Sequence, residues 1–496
     1  MTTSTELTLP SGRTYLQPTG LYMNGSFRPS SSPATIKSID PSTEAVIISV
    51  AAASAFDVDD AVRFARTAFE AESWNDLPPA GRGQLLNKLA DLVEADAQLL
   101  AEVESWDSGK TMQTALEDIA GVVDTFRYYA GWADKNPGES HRFESSKHGY
   151  TLHEPLGVCA GIIPFNYPLG MLSWKVAPAL ACGNVIIIKP AEQTPLSALV
   201  IADLFDKAGF PPGVVQILNG TGAEAGAALA SHMDVDKIAF TGSTVTGRRI
   251  MEAAAKSNLK NVTLELGGKS PAIVFNDADL EQAVKWCCLV GMFMNQSQVC
   301  TSTSRIYVQD QIYDRFIELF LEATKKDVIL GNAEDSYHGP LVSKAQEEKV
   351  LEYIELGKKE GAKLVCGGVR QSGKGYYVEP TVFVDVGKDM RIINEEIFGP
   401  VCCIAKFSTE EEVLRLANES TYGLAASVYT ENIRTAHRMV RKLQAGQVSV
   451  NSAGDVSMGL PFGGYKSSGI GRELGSYALQ CYSQAKTVHW NLTQRL

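Results

Sequence analysis

Histidine is scarce in this 496-residue chain, with seven residues at positions 141, 148, 153, 232, 338, 437 and 489. None lies within three residues of a cysteine, so a local Cys–His pair of the hydrolase kind has no support. The nine cysteines are odd in number and scattered, with no CxxC pair and no HxxxH partner. A disulfide framework and a structural zinc site are therefore not expected, and a reducing compartment fits best. No apolar run approaches the roughly 18 residues that would span a bilayer. The first twenty residues carry only Glu6 and Arg13 as charges and lack an apolar segment or an Arg-rich amphipathic pattern, and the terminal Gln-Arg-Leu is not the usual peroxisomal address. A cytoplasmic protein is expected. Basic residues are outnumbered, giving a formal net charge of −12. An acidic surface disfavours nucleic acid and anionic membranes as partners. There is neither a solenoid-period repeat nor a low-complexity tract.

What remains is an ordinary globular composition, 45% hydrophobic and 21% charged, at a length that implies more than one core. Residues 1–45 are rich in Ser, Thr, Pro and Gly and suggest short strands. A helical pattern begins at Asp57, and Leu85, Leu86, Leu89, Leu92 and Val93 repeat at helical spacing. Apolar β-rich runs at 158–163, 185–188, 214–218, 238–240 and 272–275 alternate with helical patterns such as 198–208 and 223–230. Continuous apolar strands separated by helices predict an α/β protein with a parallel sheet covered on both faces, the doubly wound dinucleotide-binding plan. A second alternating region runs from about 290 to 455. The polar stretch 135–147 reads as an excursion or arm.

Five segments carry residues suited to chemistry. Phe240-Thr241-Gly242-Ser243-Thr244-Val245-Thr246-Gly247 follows an apolar strand and opens a helix, where glycine leaves backbone N–H groups free to face a phosphate. Gly220-Thr221-Gly222 with Gly226 competes for that role, and spacing does not rank the two. Lys189-Pro190-Ala191-Glu192 sits at a strand's carboxyl end. A carboxylate there suits a ribose diol and repels a 2′-phosphate, which favours NAD over NADP. Glu265, between two leucines and followed by Gly267-Gly268, is placed for burial that raises a carboxyl toward neutrality, as a general base requires. Cys300 closes a helical stretch that starts near Asp279, among small polar residues, and is a candidate nucleophile once its thiol is ionised. Asn166, in a loop fixed by Pro164 and Pro168, is suited to donate to a developing oxyanion. Taken singly, each segment is equally a plain turn, loop or buried cysteine.

Together, and in this order, they resemble the aldehyde dehydrogenase superfamily, from about Tyr22 to Trp490. Glu395-Glu396-Ile397-Phe398-Gly399-Pro400, Pro461-Phe462-Gly463-Gly464-Tyr465-Lys466 and Gly469-Ile470-Gly471-Arg472-Glu473 add to the likeness. The resemblance is strongest to the NAD-dependent tetrameric, broad-substrate branch, in a fungal or microbial form. It implies a Rossmann-like NAD-binding domain (1–132 and 156–267), a second α/β catalytic domain (268–470), and a small β-strand oligomerisation arm with the C-terminal tail (133–155 and 471–496), in a homotetramer or homodimer. It implies Cys300 as nucleophile, Glu265 as the base for deacylation, Asn166 with the Cys300 N–H as oxyanion hole, and Lys175 and Glu473 as proton-relay partners of Glu265. Lys189 and Glu192 would hold the adenosine ribose, Ser243 and the Gly242–Gly247 turn the pyrophosphate, and Glu396 and Phe398 the nicotinamide end. Further cofactor contacts are implied at Ile162, Pro164, Phe165, Gly222, Gly226, Phe240, Leu266 and Gln346. Aldehyde contacts are implied at Tyr167, Met171, Trp174, Met294, Thr301, Val456 and Phe462, and no metal is implied. The alternatives are a CoA-acylating relative, which commonly lacks the Glu base, and a non-catalytic relative.

The chain departs from the family pattern twice. Ser297 stands where the pattern has Gly, and a requirement for positive φ there would strain a serine. In the 451–460 loop, Ala453 and Val456 replace aromatic residues, which predicts a wider, less aromatic substrate tunnel.

Overall fold

In a computed structural model, which describes residues 3–144, 146–331 and 336–492, four of the five expected apolar runs become parallel strands of one sheet, whereas the fifth, 272–275, lies in a second sheet as Pro271–Val274, and the partly exposed strand Asn261–Glu265, too polar to mark itself in the sequence, takes its place. Strands Val158–Ile162, Val185–Lys189, Val215–Ile217, Lys237–Thr241 and Asn261–Glu265 lie parallel in one sheet. The first two are buried at every position, as a strand covered on both faces must be. Antiparallel strands close the two sides of the eight-stranded sheet: Leu21–Met23 pairs with 215–217, and Gly469–Ile470 pairs with 261–265.

Across the parallel core the strands run 261, 237, 158, 185, 215. Strand order therefore reverses between Val158–Ile162 and Lys237–Thr241. At such a switch point the connections leave to opposite faces and open a crevice at the carboxyl ends. Helix Pro168–Ala181 follows the first of these strands and helix Thr244–Lys256 the second.

A second, seven-stranded sheet runs Lys363–Cys366, Thr381–Val384, Val401–Phe407, Arg305–Gln309, Pro271–Val274, Ala425–Tyr429, Gln447–Val450. All its pairings are parallel except that of 363–366. Its two faces bury separate cores: Ala272 and Val274 point into one, Ile273 and Phe275 into the other. The polar excursion forms a three-stranded antiparallel sheet of Ser140–Glu144, Lys147–Pro155 and Ser483–Asn491, mostly exposed.

The expected boundary after Ile470 requires one correction. Leu474, Ala478, Leu479 and Tyr482 pack into the first core, and the short helix Tyr477–Cys481 lies against helix 168–181. Residues 469–482 thus pack with the first sheet, and the strand Ser483–Asn491 pairs with the arm. The reason is apolar: the expected tail carries four side chains that bury themselves.

Candidate active site

The chain reaches Cys300 through an unusual turn. Helix Leu280–Lys285, capped by Asp279, continues as the wider turn Trp286–Phe293. Three successive residues then adopt the left-handed region: Asn295 (φ 48°), Gln296 (φ 55°) and Ser297 (φ 56°). The position where a serine was expected to be strained therefore does require positive φ. Its hydroxyl is buried and has no hydrogen-bond partner among the described residues. Side-chain amides hold the turn: Asn295 donates to the Asn166 carbonyl (3.0 Å), and Gln298 Oε1 accepts from the Val342 amide (3.1 Å). Asn166 in return donates from Nδ2 to the Gln298 carbonyl (2.7 Å). The two loops are thus clamped together. One Nδ2 hydrogen of Asn166 is committed, and the other remains for a bound oxygen.

Lys110, absent from the sequence-derived set, also fixes this corner. Its buried ammonium donates to the Asn166 carbonyl (3.0 Å), binds Asp118 and Glu104, and lies over the Tyr167 ring. Gly268 lets the strand-exit loop close on the nucleophile, because a Cβ there would stand 2.3 Å from the Cys300 carbonyl.

Cys300 is half-buried on the wall of a cavity of about 390 Å³. Burial and the nearby carboxylates of Glu265 and Glu396 push its thiol well above its ordinary pKa, while the backbone N–H groups of Cys300 and Thr301 oppose that rise. Glu265 ends its strand inside the same cavity. Burial, and then the Glu473 carboxylate, raise it far above the usual carboxyl range, against the pull of Lys175 and Arg472. Neither of its oxygens has a hydrogen-bond partner of good geometry among the described residues. Behind it, Lys175 donates to Glu473 (2.6 Å) and to Thr241 Oγ1 (2.7 Å). The Lys175 stem passes Gly161, where a Cβ would stand 2.7 Å from Ile188 Cδ1 and 3.3 Å from Lys175 Cδ.

At the opposite end, Glu396 accepts from the Gly268 amide (3.0 Å) and lies so close over Gly267 that a Cβ there would meet it at 2.1 Å. Phe398 (φ 61°) meets Phe165 edge-on at 5.7 Å. Gln346 lines the cavity but spends its amide on the carbonyls of Ile397 (3.2 Å) and Phe398 (2.7 Å), so it braces the loop that carries Glu396. The two competing glycine turns resolve into neighbours. Gly242 and Ser243 line the cavity, with Ser243 capping helix 244–256. The Gly220–Gly226 turn lies beside Lys189 and Glu192: the Gly222 amide donates to Glu192 Oε1 (2.5 Å), and Gly226 faces the Lys189 stem. Burial lowers the Lys189 ammonium to about 8.

The structure brings most of the expected set together. Pro164, Phe165, Asn166, Tyr167, Met171, Trp174, Gly242, Ser243, Glu265, Leu266, Met294, Cys300, Thr301, Gln346, Glu396, Phe398, Val456 and Phe462 all line the one cavity. Lys175 and Glu473 do not line it, and neither do Ile162, Lys189, Glu192, Gly222 and Gly226, which gather with one another: Gly226 adjoins Lys189 and Ile162, and Gly222 adjoins Glu192. Phe240 underlies Gly242, and Gly247 lets Leu266 approach helix 244–256. Ala453 requires a correction: it is buried against Gly291 and does not reach the tunnel. The loop contributes Gly454, Val456 and Met458 instead, while Tyr167, Trp174 and Phe462 keep the facing wall aromatic. Sequence reasoning missed Thr114, Glu117, Asp118 and Gly121 of helix Met112–Trp132, which line the mouth. Their spacing of i, i+3, i+4, i+7 places polar and small residues on one helical face, and that was the available signal.

Comparison with known proteins agrees with this geometry. The sequence profile of the aldehyde dehydrogenase family matches residues 27–488. An aldehyde dehydrogenase of Davidiella tassiana is 52% identical over 496 residues, covering 100% of this chain and 99% of its own. Human aldehyde dehydrogenase 1A1 is 50% identical, covering 97% and 96%. Among solved structures, an NAD+ complex of aldehyde dehydrogenase from Bacillus cereus superposes with a TM-score of 0.94 at 48% identity, covering 96% of each chain. Betaine aldehyde dehydrogenase from Staphylococcus aureus, in complex with NAD+, superposes with a TM-score of 0.95 at 38% identity, over 97% of this chain and 96% of that one.

Proposed function

The chain belongs to the aldehyde dehydrogenase family, and from that membership we propose that it oxidises an aldehyde to the carboxylic acid with NAD, through a thioester on Cys300. The observation that carries this reading is a single cavity that holds Cys300, Asn166 and Glu265, with Glu396, Phe398 and the Gly242 turn at its other end.

The residues present fit a dinucleotide. Ser243 and the N-terminus of helix 244–256 favour a pyrophosphate. Lys189 and Glu192 suit the adenosine ribose, and the Glu192 carboxylate opposes a 2′-phosphate. Glu396, held on the Gly267–Gly268 backbone, suits the second ribose. When bound, NAD supplies the hydride acceptor.

The chain's own residues do the rest. The Cys300 thiol gives its proton to solvent water, and the sulfur attacks the carbonyl carbon as the thiolate, the carbonyl π pair moving to oxygen. The free Nδ2 hydrogen of Asn166 and the Cys300 amide stabilise the oxyanion of the hemithioacetal. Loss of hydride leaves the thioester. Glu265 then takes a proton from water, whose oxygen attacks the acyl carbon and releases Cys300 and the acid. A base that must ionise near neutrality is served by the burial that raises Glu265. Lys175 and Glu473 relay the proton onward. Glu265 supports hydrolysis over transfer of the acyl group to CoA.

The division into a dinucleotide-binding part, a catalytic part and an arm accompanies this proposal. So do a cytoplasmic location and a homodimer or homotetramer built through the three-stranded sheet. A matrix of linear, branched and aryl aldehydes against NAD and NADP tests it. NAD reduction several-fold faster than NADP reduction, abolished in Cys300→Ala, is expected. Turnover surviving in Cys300→Ala would overturn the assignment.

A further inference from the structure

The mechanism above makes no use of Lys110, a buried lysine in direct contact with its oxyanion donor. Lys110 occupies the joint between helices Ala97–Ser108 and Met112–Trp132. Gly109 (φ 79°) ends the first helix, and the Thr111 hydroxyl caps the second by accepting from the Thr114 amide. The side chains of Lys110 and Glu104 are fully buried, and that of Asp118 is nearly so. An ammonium has three hydrogens to give. Here they go to Glu104 Oε1 (3.3 Å), to Asp118 and to the Asn166 carbonyl (3.0 Å). Each acceptor leads to a different part of the site. Glu104 takes the Leu169 amide on its other oxygen (3.2 Å), in the first turn of helix 168–181. Asp118 lines the tunnel mouth. The Asn166 carbonyl also accepts from Asn295 Nδ2 (3.0 Å), so both its lone pairs are engaged.

We propose that Lys110 is a positioning residue for the oxyanion hole: by anchoring the Asn166 carbonyl, it keeps the side-chain amide of Asn166 aimed at the aldehyde oxygen while the sulfur of Cys300 attacks. The use of its hydrogens is the reason. Neutralising two carboxylates would occupy only two of them. The third goes to the backbone of the very residue whose Nδ2 faces the reacting carbonyl. That bond is charge-assisted, and such bonds are roughly twice as strong as neutral ones. The anchor acts from behind, so it leaves Nδ2 free for Gln298 and for the substrate. The same ammonium lies 4.9 Å from the centre of the Tyr167 ring and so steadies the next residue of the loop. Placement matters here because an oxyanion donor must stand about 2.7–3.1 Å from the developing charge. A displacement of about 1 Å can cost roughly 100-fold in rate.

This rests on Asn166 as the oxyanion donor. Failure of that reading shows separately, as an Asn166→Ala enzyme whose kcat/KM for the aldehyde is unchanged; the expected loss is about 100- to 1,000-fold. The test is a double-mutant cycle in the full-length enzyme at saturating NAD. Lys110→Met should lower kcat/KM for the aldehyde about 10- to 100-fold. Its Kd for NAD, from fluorescence titration, should stay within about twofold of wild type. In the Asn166→Ala background the same substitution should cost less than about threefold, because no side chain is left to aim. If the methionine variant does not fold, Lys110→Gln makes the same test with a neutral donor in place of the charge. A merely structural role would cost the same factor in both backgrounds. Equal losses in folded enzymes with and without the Asn166 side chain, or no loss in either, overturn the proposal.

Discussion

Replacing Ser297 by glycine is expected to stabilise the enzyme, although the residue lies three positions from its nucleophile. Two costs disappear. A non-glycine residue in the left-handed region costs about 1–2 kcal/mol, and Ser297 has φ 56°. A buried hydroxyl without a partner costs about 1–3 kcal/mol, and Ser297 Oγ is such a group. Against these, glycine gains about 0.5–1 kcal/mol of freedom in the unfolded chain. The balance favours Ser297→Gly by about 1–4 kcal/mol. Ser297→Ala recovers only the hydroxyl cost and should fall between the wild type and the glycine variant. Urea unfolding at fixed protein concentration, followed by tryptophan fluorescence, measures the order. Turnover should stay at the wild-type level, because the clamps at Asn295 and Gln298 are untouched. A glycine variant less stable than wild type, or less stable than Ser297→Ala, would refute the reasoning.

Adjacent glycines should fail differently. In Gly267→Ala the new methyl meets the Glu396 carboxylate, a movable side-chain end, at 2.1 Å. Losing that group's grip, about 1.5–3 kcal/mol, should raise KM for NAD roughly 10- to 100-fold with kcat largely kept. In Gly268→Ala the methyl meets the Cys300 carbonyl, which is backbone, so kcat should fall instead; steady-state kinetics separate the two. The Cys300 thiol is held above its ordinary pKa by burial and by Glu265 and Glu396, so without cofactor only a small thiolate fraction exists at neutral pH. Alkylation by iodoacetamide should therefore climb about tenfold per pH unit with no plateau below pH 9. A plateau near pH 7 would contradict that electrostatic picture.

The fold was legible where one physical signal dominated. Four of five apolar runs bounded by glycine and helical patterns became parallel strands of one sheet, because a strand buried on both faces has little freedom in composition; the fifth, 272–275, joined the second sheet, and the more polar strand 261–265 carried no such signal. Chain continuity was harder to read. The residues after Ile470 looked like a tail, yet Leu474 and Leu479 return to the first core, and nothing local marks which distant surface an apolar residue will cover. The site divides in the same way. That Cys300, Glu265 and Asn166 would share one cavity was legible from order and context. Ala453 misled because loop residues give no facing signal, and the mouth residues on helix 112–132 were missed because their polar stripe resembles a solvated face. Lys110 has no sequence signal, since its role depends on a carbonyl 56 positions away.

The claim on which the rest depends is that one sulfur carries the acyl group and one buried carboxylate releases it. Mass spectrometry of Glu265→Gln, quenched seconds after mixing with NAD and an aldehyde, tests it most directly. The account predicts one acyl adduct per chain on the peptide that contains Cys300, together with one equivalent of NADH and slow subsequent turnover. A full burst of NADH with no adduct on that peptide would contradict it.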